Sequence, residues 1–353
     1  MRNAEKTVTI AQRPRQAQPP RHRRRCPRLA FRVALGVGVT LALAGCANST
    51  GPATPGATPG TAPAVVGLTY VPNIQFAPFY VADSGGLLPT GVSLRHHGAA
   101  EGLFTALAAG QEQFVVAGGD EILQARANGT DILAVSAYFQ RYPVRVIVPQ
   151  DSPIQTLADL KGHTVGLPGR FGESWFALVL ALRSADLSET DVTIQEIGYT
   201  QQAALQTGKV DAVIGFANGD AVSFEQAGFP IRQIDPKVPL VPICLATTRA
   251  FADAHPETVR AVVTAVGQGI AQTVADPTAA LDAAAAYIPD FAASRDTSAA
   301  VLAATVTLFT DQAGQVKPAL DPGAWTAMAQ AMAQAGLIPT SDTAASALTV
   351  EFT

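Results

Sequence analysis

At 353 residues, 48% of them apolar, the chain has the mass for one large or two medium domains. Its formal charge of −4 hides an asymmetry: residues 1–45 hold 10 of the 24 Lys+Arg and 1 of the 28 Asp+Glu, so the rest carries 14 basic and 27 acidic residues, or −13. So acidic a surface excludes nucleic acid and an electrostatic hold on anionic lipid, and it weakens the case for a strongly anionic ligand.

The first element is a leader. Arg21, Arg23, Arg24, Arg25, Arg28 and Arg32 precede an uncharged apolar run at 33–44, the layout of an export signal. That run is too short for a comfortable span, which needs about 20 residues. Cys46 follows Leu43-Ala-Gly45 directly, and this resembles the lipobox of bacterial lipoproteins. The resemblance implies a signal peptide at 1–45, a lipid on Cys46, and a protein held at the outer face of the cytoplasmic membrane. Residues 46–64 repeat Thr-Pro-Gly at 54–56 and 58–60, lack apolar mass and read as a flexible tether. Cys26 goes with the leader and Cys46 takes the lipid, so Cys244 stands alone as a buried apolar side chain and no disulfide is available.

From Val65 onward strands and helices alternate. Strands are predicted at 65–71, 92–96, 113–117, 132–138, 144–148, 164–167, 192–197, 212–216 and 243–247, and helices at 79–84, 102–109, 121–127, near 157–160, 174–184 and 203–207. After Pro256 the chain turns helical, at 259–274, 279–287, 299–309 and 325–335. The expected fold is α/β: two doubly wound lobes joined by a two-strand hinge, with a C-terminal helical segment. Two proline-bracketed apolar runs, 142–149 and 239–245, are the expected crossings. They divide the chain into a discontinuous lobe 1 (65–148 plus 241–353) and an inserted lobe 2 (149–240).

Three segments resemble solute-binding proteins of ABC importers, in particular the branch of thiamine-pyrimidine-precursor, riboflavin and sulfonate or nitrate binders. They are Gly67-Leu-Thr-Tyr-Val-Pro-Asn-Ile-Gln-Phe-Ala-Pro-Phe-Tyr-Val-Ala82, the stretch 148–166 with its Leu160-Lys-Gly162, and Gly208-Lys-Val-Asp-Ala-Val-Ile-Gly215. The resemblance implies the type II periplasmic binding protein fold, hinge closure on a small molecule, and an ABC permease with its ATPase as partners. Pyrimidine-binding members generally carry a histidine where this chain has Phe76, and the cysteine-rich motif of pyrimidine-forming relatives is missing. Synthase chemistry is therefore not expected. Flavin-like and pyrimidine ligands stand level, and sulfonates come third.

Ligands of open α/β sheets sit at the carboxyl ends of strands. The loops there, at 73–79, 118–121, 138–142, 169–175 and 216–220, are rich in aromatics and carboxylates, which suits a flat, hydrogen-bonding, neutral or cationic ligand. Asn73 either reads a ring edge or caps a turn. Phe76 and Phe79 supply rings or core, and Tyr138 precedes the first crossing. Gly119 permits close backbone approach; Asp120 contacts the ligand or caps the next helix. Phe171, Ser174 and Trp175 open a helix whose free amides face an acceptor. Tyr199, Asn218 and Asp220 complete the set of expected ligand contacts. The histidines show no ligand spacing, and no metal, cofactor or nucleic-acid partner is expected. Neither a nucleophile elbow nor a phosphate-binding loop is present, so a monomeric binding protein is the expectation over an enzyme.

Overall fold

The computed structural model describes residues 61–98 and 101–353. The leader, Cys46 and most of the tether lie outside the described residues. In chain order the elements begin with β1 (Ala64–Leu68), α1 (Ala77–Ser84), β2 (Val92–His96), α2 (Thr105–Ala108), β3 (Phe114–Gly118), α3 (Gly119–Ala127) and β4 (Ile132–Ala137). Next come β5 (Val144–Pro149), β6 (Thr164–Leu167), α4 (Gly172–Ser184), β7 (Thr193–Glu196), α5 (Gln201–Gln206), β8 (Ala212–Phe216), α6 (Asp220–Gln226) and β9 (Ile231–Ile234). The chain closes with β10 (Ile243–Thr248), α7 (Arg249–Ala254), α8 (Pro256–Ala275), α9 (Pro277–Ala284), α10 (Phe291–Phe309) and α11 (Pro322–Gln334).

Two five-stranded mixed sheets form, ordered β2-β1-β3-β10-β4 and β7-β6-β8-β5-β9. In each, one strand that arrives from the other lobe runs antiparallel: β10 against β3 and β4, and β5 against β8 and β9. The remaining strands all point one way, so their carboxyl ends gather on a single edge of each sheet. This is the expected two-lobed α/β architecture.

The crossing at 142–149 differs from expectation. Val144–Pro149 is an internal strand of the second sheet, registered on Phe216 at one end and Ile231 at the other. The chain changes lobes before it, in residues 138–143, and returns after β9. Pro149 is tolerated because it ends the strand, where its missing N–H costs no central ladder bond. The strand β9 went unpredicted, since Ile231-Arg-Gln-Ile234 is short and mixed in character. The helix near 157–160 is a 3-10 turn, and the predicted helix at 102–109 shrinks to the single turn of α2.

Prolines at the first turn start α8, α9 and α11, where a missing N–H is harmless. Asp276 and Asp321 cap α9 and α11, accepting from Ala279 N (3.0 Å) and Gly323 N (2.8 Å). The C-terminal helices do not all serve one lobe. α8 and α9 cover α1, whereas α10 touches α6 and α11 packs on both α3 and α4. Trp325, Met328 and Met332 of α11 are fully buried in an apolar cluster shared by Ile122 and Leu123 of α3 with Phe176 and Leu180 of α4. The lobes are thus in contact through α3, α4 and α11. No helix among the described residues is long and apolar enough to cross a membrane.

Candidate functional site

The carboxyl-end loops of the two sheets meet where α3 and α4 start. Asp120, Glu121 and Glu173 lie in the first turns of these helices, where the helix dipoles partly favour negative charge. Asp120 is 0% exposed and Glu173 8%. Asp120 Oδ2 accepts from the Tyr142 hydroxyl at 2.8 Å, and Asp120 Oδ1 accepts from Glu121 N at 2.8 Å. Glu121 Oε2 accepts from Gly118 N at 3.1 Å, so Glu121 and not Asp120 reaches back over the helix start. Glu173 Oε1 is buried with no partner.

Two glycines keep the backbone out of the way. A methyl group on Gly118 would run into Asp120 and would sit 2.9 Å from Glu173 Oε1. One on Gly172, at φ +65°, would sit 3.1 Å from Glu121 Oε1. Among the described residues no Lys or Arg forms an ion pair with these three carboxylates. Burial therefore raises the pKa of all three. For Glu121 and Glu173 the neighbouring acids add to the rise, whereas the Tyr142 hydrogen bond holds Asp120 back somewhat. Nearby, Arg141 donates to the Thr310 and Asp311 carbonyls, and Arg170 pairs with Glu189 at 2.6 Å.

The expected contact residues separate into three groups. Asn73, Phe76, Phe79 and Tyr138 are built into lobe 1. Asn73 Oδ1 accepts from Gln75 N (3.0 Å) and so caps the turn. Phe76 packs edge-on against His96; Phe79 and Tyr138 stack at 5.2 Å, and the Tyr138 hydroxyl donates to the Gln75 carbonyl. Their rings are core, fully enclosed. The second group holds the lobes in register. Gly119 N donates to the Val241 and Pro242 carbonyls of the return crossing, and a methyl there would sit 2.7 Å from Val241 Cβ. Asn218, 2% exposed, donates from Nδ2 to Thr305 Oγ1 of α10 at 3.1 Å, and its Oδ1 is left without a partner. Asp220 Oδ2 accepts from Phe216 N (2.8 Å), closing the turn that presents Asn218, and burial raises its pKa.

The third group is a rim on lobe 2. Phe171 is 58% exposed and Tyr199 70%. Trp175 is half-buried under the Arg170 guanidinium, 4.8 Å from its ring centroid, and Ser174 is buried beside it. Glu121, Tyr142, Glu173 and Thr305 are not among the contacts expected from the sequence: Tyr142 joins Asp120 to Glu173, and Thr305 meets Asn218. Two surface clefts, of about 260 and 470 Å³, lie elsewhere: both include Ser184 and Lys237, at the opposite end of α4.

One histidine departs from expectation. His97 is buried, and its Nε2 lies 3.0 Å from Glu112. Among the described residues His97, Glu101 and Glu112 are the one set of three whose metal-ligating atoms converge, within 4.8 Å. Arg95 already bonds both carboxylates there, Glu101 at 2.6 Å, so its charge opposes a cation.

Residues 73–280 match the NMT1/THI5-like family. The riboflavin-binding protein RibY of Chloroflexus aurantiacus is 33% identical over 283 residues, covering 72% of this chain and 78% of RibY. The chain belongs to the NMT1/THI5-like family. A shorter match, 39% identical over 90 residues, links 25% of the chain to 28% of a putative aliphatic sulfonates-binding protein of Escherichia coli. The fold is that of the periplasmic sulfonate-binding protein SsuA from Escherichia coli, with a TM-score of 0.64 at 21% identity over 79% of this chain and 95% of that one. The two-lobed architecture is thus that of ABC-importer solute-binding proteins.

Proposed function

We propose that this chain is an extracytoplasmic lipoprotein, anchored through Cys46, that captures a flat, neutral heterocycle of the flavin type between its lobes. It then hands the ligand to an ABC permease and its ATPase. The observation that carries the reading is the cluster of Asp120, Glu121 and Glu173, gathered where α3 and α4 start without a paired cation among the described residues, with Asp120 and Glu173 buried. Acids held this way offer oxygens to a ligand's N–H and O–H donors and supply no positive charge to an anion. Riboflavin offers a ring imide N–H and four chain hydroxyls. A sulfonate is an anion whose head group offers acceptors only, and among the described residues no Lys or Arg stands with these acids to balance its charge. The similarity to RibY supports the same choice. Phe171 and Tyr199 on the loops of lobe 2, with Trp175 in the first turns of α4, offer rings on which a flat ligand would stack, with Ser174, Asn218 and Asp220 as polar partners.

The test is direct. The full chain, purified without a tag, should show a flavin absorption band or acquire one with riboflavin. Riboflavin at a hundredfold excess over its Kd should stabilise the protein by about 2.7 kcal/mol. A colourless protein whose melting temperature responds to alkanesulfonates or to hydroxymethylpyrimidine, and not to riboflavin, overturns the proposal. Turnover of any of these compounds would point to an enzyme instead.

A further inference from the structure

The acids at the α3–α4 junction do more than set a sign of charge. We infer that Asp120, Glu121 and Glu173, with Asn218 beside them, form a subsite for a polyhydroxyl chain, separate from the aromatic rim that takes the ring. The inference rests on the flavin reading above and specifies which part of such a ligand each region holds.

Three observations lead there. First, hydrogen-bonding capacity is left unused, and a hydroxyl can serve it as donor or acceptor: Glu173 Oε1 and Asn218 Oδ1 are both buried without partners. Neighbouring strands β6 and β8 bring their two loops side by side at one edge of the second sheet. Unpaired buried polar atoms are costly until a partner reaches them. Second, the acids are not arranged for a point cation: Asp120, Glu121 and Glu173 are not a set whose ligating atoms converge, as those of His97, Glu101 and Glu112 do. A cation needs such convergence, and a chain of hydroxyls does not. Third, a hydroxyl already bonds to this cluster. The Tyr142 hydroxyl donates to Asp120 Oδ2 and lies 3.2 Å from the Glu173 carbonyl oxygen, bridging the two lobes. Asp120 and Glu173 themselves fill the space that a side chain at Gly118 would take. Phe171 and Tyr199, exposed on the loops after β6 and β7, provide stacking surface.

Titration with riboflavin and with lumiflavin, which carries a methyl group in place of the hydroxylated chain, tests the inference on the unaltered full chain by quenching of ligand fluorescence. Riboflavin should bind at least tenfold more tightly. In Glu173→Gln and in Asp120→Asn that preference should fall at least threefold while lumiflavin affinity stays within twofold, with circular dichroism reporting the fold of each variant. Equal affinity of the unaltered chain for both flavins overturns the subsite and leaves the flavin reading standing. Failure of both flavins to bind overturns the flavin reading itself, and the subsite with it. If Glu173→Gln and Asp120→Asn weaken both flavins alike, the acids act on closure and not on the chain, which also overturns the inference.

Discussion

Two acidic clusters lie at the edges of lobe 1, and they are finished in opposite ways. Around Glu112, Arg95 and His97 supply donors to the buried carboxylate, and Glu101 completes the set. Around Asp120, three carboxylates are gathered from two lobes and meet one hydroxyl and two backbone amides. The first cluster is self-contained and holds the end of β2 against the start of β3. The second is incomplete as a structural device and is placed where the lobes meet. A protein keeps buried acids unneutralised at a cost, and perturbed groups of this kind concentrate at functional sites. The contrast marks the α3–α4 junction as the candidate site without any reference to motif.

The largest expected effect breaks the balanced cluster. Glu112→Ala leaves Arg95 and the buried His97 without their acceptor, and removing one partner of such a pair should cost about 3 kcal/mol in urea unfolding, with Arg95 partly in water. A cost under about 1 kcal/mol would mean the network is not structural.

The next effect belongs to the unbalanced cluster. Because the folded state raises the pKa of Asp120, Glu121 and Glu173, it keeps protons that the unfolded chain releases above about pH 4. Stability is therefore greatest below that pH, declines as pH rises, and levels off once the folded groups have also ionised. Each unit of elevation is worth about 1.4 kcal/mol. Glu173→Gln removes one of these groups, so the variant should match the unaltered protein near pH 4.5 and exceed it by about 1 kcal/mol at pH 8.5. The lowered acids Asp159, Asp191 and Asp311 act below pH 4 and do not mask this window. Thermal melts across the range read the sign; a variant that is less stable at pH 8.5 would show that Glu173 is satisfied.

A smaller effect tests the interlobe contact at Asn218. Thr305→Val keeps the shape and removes the oxygen that Asn218 Nδ2 reaches, and a single lost hydrogen bond is worth about 1 kcal/mol.

What the sequence made legible follows from the range of each interaction. The strand–helix alternation, the proline helix starts and the acidic loop Gly118-Gly-Asp-Glu121 are local patterns, and they pointed to the fold class and to one half of the candidate site. The turn cap at Asn73 was also legible, because its acceptor lies two residues on. The meeting of Glu173 with Asp120 was not, since it depends on how two separately folded lobes dock. His97 and Glu112 are 15 residues apart with α2 between them, so no ligand spacing marks the pair. The rings misled for a related reason: Phe79 and Tyr138 have the composition of a stacking site, but their helix and strand turn them into the lobe 1 core.

The smallest change in stability should accompany a clear change in binding. Phe171 and Tyr199 are largely exposed, so truncating either to alanine removes little buried area and should shift unfolding by less than about 0.5 kcal/mol. Exposed aromatic rings nonetheless have a cost in solubility, and stacking on a flat ligand offsets it with about 0.5–1.5 kcal/mol per ring. Phe171→Ala and Tyr199→Ala should therefore each weaken riboflavin binding by about two- to tenfold, and lumiflavin binding by the same factor, because the ring is common to both ligands. The carboxylate variants should instead spare lumiflavin. A rim that discriminated between the two flavins, or carboxylates that did not, would reverse the division between ring and chain proposed for the rim and the acid cluster.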